Sequence, residues 1–245
     1  MGAGCSSADE EAVDNVGDSE DEVTAVPGSL ASVVLKGCTT TVARPLTDQL
    51  VAEIACLSPG ALASIESIPN IELEPEVVPL LQVPVIKALT DAAAASSVPL
   101  KLTSALRTLP QQYLLRRWAA NRRCGVTMAA GVGASNHEGG VAVDLKMSGG
   151  TTANKKIRAA MAANHFKWLG AADPFHFHYD GTGDGAGVAL EGLSVIAFKR
   201  LWNRNHPEAP LVEDEKYDAT VEAKLKMAPV AGFPIGARCD EAATR

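Results

Sequence analysis

One short glycine-rich stretch holds two side chains that can bind a metal. The segment SNHEGGVAVDL, residues 135–145, contains His137 and, seven positions later, Asp144. Neutral imidazole and carboxylate are good zinc ligands, and a catalytic zinc usually has three protein ligands and one open position. The glycines between the two residues let the backbone turn, so that a loop residue and a strand residue can face one point. Taken alone, such a pair is more often structural, as a polar turn that enters a strand.

A second segment, PFHFHYDG, offers the third ligand. His176 and His178 alternate with aromatic residues, so that in a strand both imidazoles lie on one face, and His176 is the better candidate. Asp173, three residues before His176, can take a proton from zinc-bound water. Arg107, at the end of a predicted buried strand, offers a cation for an oxyanion or a substrate carboxylate. Each residue alone is more often structural, and only their combination indicates a metal site.

The elements that must position these residues indicate an α+β protein with a small, mostly antiparallel sheet flanked by helices. Apolar spacing and alanine content predict a helix from Val83 to Ala95, and Pro110 suits the first turn of another. A third amphipathic helix is NKKIRAAMAANHF. The predicted strands are SVPLKLTSALRT, VAVDLKM, FKWLG and PFHFHYDG. This order favours α+β over a doubly wound sheet. Residues 31–60 alternate loosely and predict short strands or a small helical turn.

Three spaced motifs resemble those of a known peptidase family. SNHEGGVAVD fits the pattern Ser-x-His-x-x-Gly-x-Ala-x-Asp. DPFHF resembles a second motif, in which an acidic residue is followed by two other residues, a His and an aromatic residue. SALRTLPQQ resembles a third motif, in which Arg is followed by Ser or Thr and then by Gln. Over residues 80–180 the chain is therefore similar to the peptidoglycan zinc peptidases that include D-Ala-D-Ala carboxypeptidases and L-alanyl-D-glutamate endopeptidases.

The resemblance implies a D-Ala-D-Ala carboxypeptidase-like fold and zinc-dependent hydrolysis of cell-wall stem peptides. The implied Zn²⁺ ligands are His137, Asp144 and His176. Asp173 is implied as the catalytic base and Arg107 as a stabiliser of the oxyanion. Side chains expected to meet substrate are Ser135, Gln112 and His178, the last of which packs at the rim in the alternative interpretation.

Two questions stay open at this level. Carboxypeptidase members usually have Glu at the position of Asp173, whereas endopeptidase members can have Asp before a His-Phe pair, so the bond that is cut is not fixed. The alternative function is a non-catalytic, zinc-containing peptidoglycan-binding module. A structural envelope protein, in which the His-Asp pair only packs, is the remaining possibility.

The sequence divides into four predicted segments. These are a disordered acidic tether (1–30), an N-terminal extension (31–78), the zinc peptidase catalytic domain (79–183) and a small helical module (188–236). The tether has almost no large apolar side chain with which to offset its ordering entropy. The helical module follows a glycine-rich break at 181–187 and loosely resembles peptidoglycan-binding repeats. A helical cap on the catalytic domain is the equal alternative.

Charge and hydropathy argue against two classes of partner. The net charge of -7 comes from residues 9–22, which carry eight acidic groups and no basic one. The rest of the chain is nearly neutral, so nothing indicates a nucleic-acid surface. No apolar run approaches the roughly 18 residues that a membrane helix needs. The expected partner is peptidoglycan or its peptides.

Cysteine usage suits an exported, periplasmic or envelope-associated protein. Cys38, Cys56, Cys124 and Cys239 are well separated and form no CxxC pair, which favours two disulfides over a structural zinc cluster. The favoured pairs are Cys38–Cys56 and Cys124–Cys239. The alternative is a reduced cytosolic chain that carries the same four cysteines.

The first residues, MGAGCSS, match two lipidation patterns. Cys5 resembles the lipid-bearing cysteine of a bacterial lipoprotein, although no apolar stretch precedes it. Gly2 and Ser6 also fit N-myristoylation. A small-residue start without a function is the equal alternative.

Overall fold

Helices and strands are mixed along the chain in a computed structural model, which describes residues 25–181 and 190–239. In chain order the elements are α1 (Leu30–Val33), α2 (Arg44–Leu57), β1 (Leu62–Ser64), β2 (Ile71–Leu73), β3 (Leu80–Gln82), α3 (Val83–Ala95), β4 (Leu100–Ser104), α4 (Leu109–Ala120), β5 (Ala142–Leu145), α5 (Gly150–Ala163), β6 (Phe166–Trp168), β7 (His176–Tyr179), α6 (Leu190–Asn205) and α7 (Ala219–Met227). A 3₁₀ turn, Thr40–Ala43, precedes α2. The fold is α+β, as predicted.

A five-stranded sheet forms the centre of the molecule, with the strand order β2-β4-β5-β7-β6. The pairs β4–β5, β5–β7 and β6–β7 are antiparallel, and only the edge pair β2–β4 is parallel. The prediction of a mostly antiparallel sheet is therefore confirmed. A second, two-stranded sheet joins β1 to β3.

Local sequence explains the helices beside the sheet. α3 has the predicted bounds, and α4 buries Tyr113, Leu114 and Trp118. Thr108 and Gln111 form a capping box at the start of α4, where Pro110 needs no amide partner. This cap fixes the point at which the chain leaves the sheet and enters α4.

Residues 31–60 differ from their prediction. They form α1, the 3₁₀ turn and the fourteen-residue helix α2 rather than short strands or one turn. The buried residues Leu46, Leu50 and Ile54 recur every fourth position, which is the helical spacing. The loose alternation of the neighbouring side chains obscured this period.

The described residues form two separate apolar cores. In the first core, α3 and α5 cover one face of the large sheet, and Val143, Leu145 and Phe177 point into it. Because side chains alternate along a strand, Asp144 and His176 point to the opposite face. The second core is helical and contains residues of α1, α2, α4, α6 and α7.

The helical core joins three of the predicted segments. Glu53 of α2 is fully buried and accepts from Arg200 (2.9 Å) and Arg204 (3.2 Å), both on α6. Helix α6 of the predicted C-terminal module thus packs on α2 of the predicted N-terminal extension, while α4 of the predicted catalytic domain shares the same core.

The disulfide pairing that was favoured from the sequence is wrong. The structure has Cys38–Cys124 and Cys56–Cys239, with Cα atoms 5.2 and 4.7 Å apart, instead of Cys38–Cys56 and Cys124–Cys239. The physical reason is α2, because Cys56 lies in its last turn whereas Cys38 precedes its first residue. Its fourteen residues span roughly 20 Å, which is far beyond the 7 Å that a disulfide can bridge.

Three predictions fall on residues outside the described ranges. These are the disordered tether up to residue 24, lipidation at Gly2 or Cys5, and the glycine-rich break from residue 182 onward. Within residues 25–181 and 190–239, no helix has the length and apolar character needed to cross a membrane.

Candidate metal centre

Strand register brings two of the predicted ligands together. In the antiparallel pair β5–β7, Asp144 lies directly opposite His176, on the sheet face away from α3 and α5. His137 reaches the same point from the turn at 136–140, which precedes β5. Among the described residues, these three side chains form a group that could hold a metal ion. Their three ligand atoms all lie within 4.8 Å of one another.

The spacing of the three ligand atoms fits a tetrahedral zinc ion. His137 Nε2 lies 3.1 Å from Asp144 Oδ1 and 3.1 Å from His176 Nδ1, and the last two atoms are 3.2 Å apart. With metal–ligand bonds of about 2.0–2.1 Å, the ligand atoms of a tetrahedral site are roughly 3.3 Å apart. Two imidazoles and one carboxylate are also a typical ligand set for a catalytic zinc. The residues therefore fit the ion that the motifs imply.

Backbone contacts orient His137 for this role. Its Nδ1 lies 2.8 Å from the carbonyl oxygen of Ala105, just after β4, and the amide of Arg107 donates to the His137 carbonyl at 3.1 Å. The first contact places the imidazole proton on Nδ1 and leaves the Nε2 lone pair facing Asp144 and His176. Burial, aided by the charge of Arg107, lowers the pKa of His137 and so favours the neutral form that binds zinc.

Arg107 holds the carboxylate ligand from its other side. Its Nη2 donates to Asp144 Oδ2, the oxygen that faces away from the two histidines, and its Nε donates to Ser104 Oγ at 2.9 Å. Burial alone would oppose ionisation of Asp144, but the interactions of its carboxylate with His137, Arg107 and His176 outweigh it and hold the pKa of Asp144 well below its usual range. Asp144 is therefore an ionised ligand with a fixed orientation.

Glu138 supports the ligand-bearing turn and was missed from the sequence. Its buried carboxylate accepts from the amides of Gly133 (3.0 Å) and Ser135 (3.0 Å), which ties the loop before His137 to the turn. Burial raises the pKa of Glu138 to about 7, against the effect of these hydrogen bonds. The signal in the sequence was an acidic side chain directly after a ligand in a glycine-rich loop. Gly140, with φ of +65°, then lets the chain turn into β5.

Asp173 lies at the beginning of the last turn before β7. Its carbonyl accepts from the amide of His176 at 3.4 Å, and its side chain is half-buried. Among residues 25–181 and 190–239, its carboxylate has no hydrogen-bond or ion-pair partner. Its role as a base stays a prediction.

The three predicted substrate contacts have different surroundings. Ser135 is buried, and its hydroxyl accepts from the His137 amide at 3.3 Å. Gln112, on α4, is fully buried and donates to the Ala130 carbonyl at 2.8 Å. His178 is half-buried beside His176, with ring centres 5.7 Å apart, and its Nδ1 has no partner in the described part of the chain. Burial and the proximity of His176 lower the pKa of His178.

A cavity of about 430 Å³ opens beside the cluster, on the side of the Arg107–Asp144 pair. Both of these residues line it, so one candidate metal ligand, Asp144, also faces the cavity. Its size falls within the range of roughly 300–1,000 Å³ that is typical of small-ligand sites.

Comparison with known proteins adds no relative: no family model matches the chain, and no curated protein or solved structure shows significant similarity to it.

Proposed function

We propose that this protein is a zinc-dependent peptidase that hydrolyses peptide bonds in peptidoglycan stem peptides, at a D-Ala-D-Ala or an L-Ala-D-Glu bond. The convergence of His137 Nε2, Asp144 Oδ1 and His176 Nδ1, with separations of 3.1–3.2 Å, carries the proposal. The motif resemblance supports the choice of reaction and of substrate class.

The protein side chains have separate roles in this reaction. Zinc supplies Lewis acidity and lowers the pKa of water to about 7 when three protein ligands hold it. Asp173, whose carboxylate is unpaired among the described residues, accepts a proton from the attacking water and returns it to the leaving amine.

Arg107 has two roles in this proposal. Through Nη2 it keeps Asp144 ionised and oriented. It also lines the cavity, where the remaining N–H groups of its guanidinium can stabilise the negative charge on the carbonyl oxygen under attack.

The proposal includes a D-Ala-D-Ala carboxypeptidase-like fold and an exported location. Two disulfides support export, because such bonds persist in oxidising compartments. Helices α6 and α7 share the core of α2 and α4, which favours a helical cap over an independent peptidoglycan-binding module.

Zinc binding and turnover can be tested separately. The wild-type chain is expected to bind one zinc per molecule, and His137→Ala to lose it, in elemental analysis after zinc-supplemented purification. Asp173→Ala should keep the zinc and lose hydrolysis of a synthetic stem peptide. His165→Asn is a matched control, because His165 is exposed and adopts a positive φ that Asn tolerates.

Each other outcome has a definite meaning. Wild-type zinc without hydrolysis would favour a non-catalytic binding module, and absence of zinc from the wild type would favour a structural role for the His-Asp pair.

A further inference from the structure

We infer that the cavity beside the metal centre binds a substrate residue with an apolar stem and a terminal amine, and that Glu76 selects this residue. The inference rests on the proposed function, since it assigns a specificity pocket to that site. It starts from the 430 Å³ cavity that Asp144 and Arg107 share with the metal centre.

The walls of the cavity suit an apolar stem. They include Val77 and Val78 from the segment before β3, Leu106 from the chain after β4, and Leu115 from α4. A methylene chain placed against such walls is removed from water, which favours binding. The walls alone would accept any aliphatic side chain.

The charged side chains of the cavity restrict which aliphatic side chain it can bind. Three charged side chains line it: Glu76, Arg107 and Asp144. Arg107 and Asp144 neutralise each other in their ion pair. Glu76 is exposed and has no ion-pair partner among residues 25–181 and 190–239. The lining therefore has one uncompensated negative charge, which complements an ammonium group and repels a second carboxylate.

Glu76 is held in a fixed place by the backbone around it. The Val77 amide donates to the Glu74 carbonyl at 3.1 Å, which closes a turn with Pro75 inside it. Val78 then forms a bridge with Leu106, next to Arg107. The carboxylate is thus presented from a closed turn attached to the site, rather than from a free loop.

The cavity lies next to the candidate metal centre, so a substrate amine bound in it would be close to the reacting bond. Asp144 lines the cavity, and its Oδ1 is one of the three atoms that converge at the candidate metal centre. A substrate residue in the cavity therefore lies near the bond that is cut. A lysine residue, which is the diamino residue of some stem peptides, has the required apolar stem and terminal amine.

A pair of peptides tests this assignment. One is a synthetic stem pentapeptide with lysine at the diamino position, and the other carries Nε-acetyl-lysine there, which keeps the stem and removes the charge. Zinc-loaded wild-type protein should show a kcat/KM about five-fold higher for the lysine peptide, because a partly exposed ion pair contributes up to about 1 kcal/mol. Glu76→Gln should abolish this preference.

A binding measurement gives an independent readout. In calorimetry with zinc-loaded Asp173→Ala protein, the lysine peptide should bind about five-fold more tightly than the acetylated one, and adding Glu76→Gln should remove the difference. Glu72→Gln is the matched control, because Glu72 is an exposed carboxylate on β2 that pairs with Lys101 at 2.7 Å outside the cavity. It should keep the preference.

The outcomes separate this inference from the proposed function. Hydrolysis of both peptides at equal rates, or an unchanged preference in Glu76→Gln, would overturn the role of Glu76 and leave the peptidase assignment intact. A binding preference that depends on Glu76, without hydrolysis of either peptide, would keep the amine pocket and refute the peptidase. Failure to bind either peptide would overturn the pocket.

Discussion

Replacing Glu138 with Gln tests how the turn that carries His137 is held. The Glu138 carboxylate is buried and accepts from the amides of Gly133 and Ser135. Gln keeps nearly the same volume and one acceptor oxygen, but it cannot ionise. The substitution therefore removes the titration of this group with little change in packing.

The size and sign of the effect follow from the pKa of Glu138. Burial raises this pKa from an ordinary value of 4.5 to about 7 in the folded chain. The folded state thus holds the proton more tightly than the unfolded state. The contribution to stability is fully present below pH 4.5 and is lost as the pH rises through about 7. Because one pKa unit corresponds to about 1.4 kcal/mol, the loss amounts to roughly 3 kcal/mol.

Urea unfolding of the zinc-free chain between pH 4.5 and pH 8 measures this effect. The free energy of unfolding of the wild type, minus that of Glu138→Gln, should fall by roughly 3 kcal/mol across this range. Groups that titrate in both proteins cancel in the difference. The exposed Glu66→Gln serves as a control and should give a flat difference. A flat difference for Glu138→Gln would show that the Glu138 carboxyl is not protonated in the folded chain.

Three further predictions concern stability and zinc affinity. Glu53→Ala should destabilise the chain by about 3–5 kcal/mol in urea unfolding, because it leaves two buried arginines without their carboxylate. The double substitution Cys56→Ser with Cys239→Ser should cost about 2–5 kcal/mol in the same assay, since that disulfide closes a long loop. Arg107→Gln should weaken zinc binding by about 10-fold or more in competition with a chelator, because it releases Asp144.

Each of these has an outcome that would contradict it. A Glu53→Ala protein as stable as the wild type would show that the buried ion cluster does not hold α6 on α2. Non-reducing peptide mapping that finds Cys38 joined to Cys56 would refute the pairing. Unchanged zinc affinity in Arg107→Gln would show that Arg107 does not orient Asp144.

Local patterns in the sequence were sufficient for much of the fold around the site. The helix Val83–Ala95 and the start of α4 at Pro110 follow from apolar spacing and from proline chemistry, both of which act over a few residues. The strand alternation around Asp144 and His176 likewise predicts which side chains share a face. Asp144 and His176 lie together in the structure because of this alternation and the β5–β7 register, and the turn at 136–140 brings His137 to them.

Features that depend on long-range geometry could not be predicted. The pairing of Cys38 with Cys124 needs the position of α2, and the parallel pairing of β2 with β4 joins segments that no local pattern relates. The acceptor for His137 Nδ1 is the backbone carbonyl of Ala105, and every residue type has such a carbonyl. A sequence motif therefore indicates ligands more readily than the groups that orient them.

Mass spectrometry of muropeptides incubated with the zinc-loaded chain tests the central claim most directly. The wild type should convert a stem peptide to products whose masses differ by hydrolysis of one peptide bond, at D-Ala-D-Ala or at L-Ala-D-Glu. His137→Ala, which lacks the imidazole 3.1 Å from both Asp144 and His176, should leave the same peptides intact. Unchanged muropeptides with the zinc-loaded wild type, or equal cleavage by His137→Ala, would contradict the proposed peptidase.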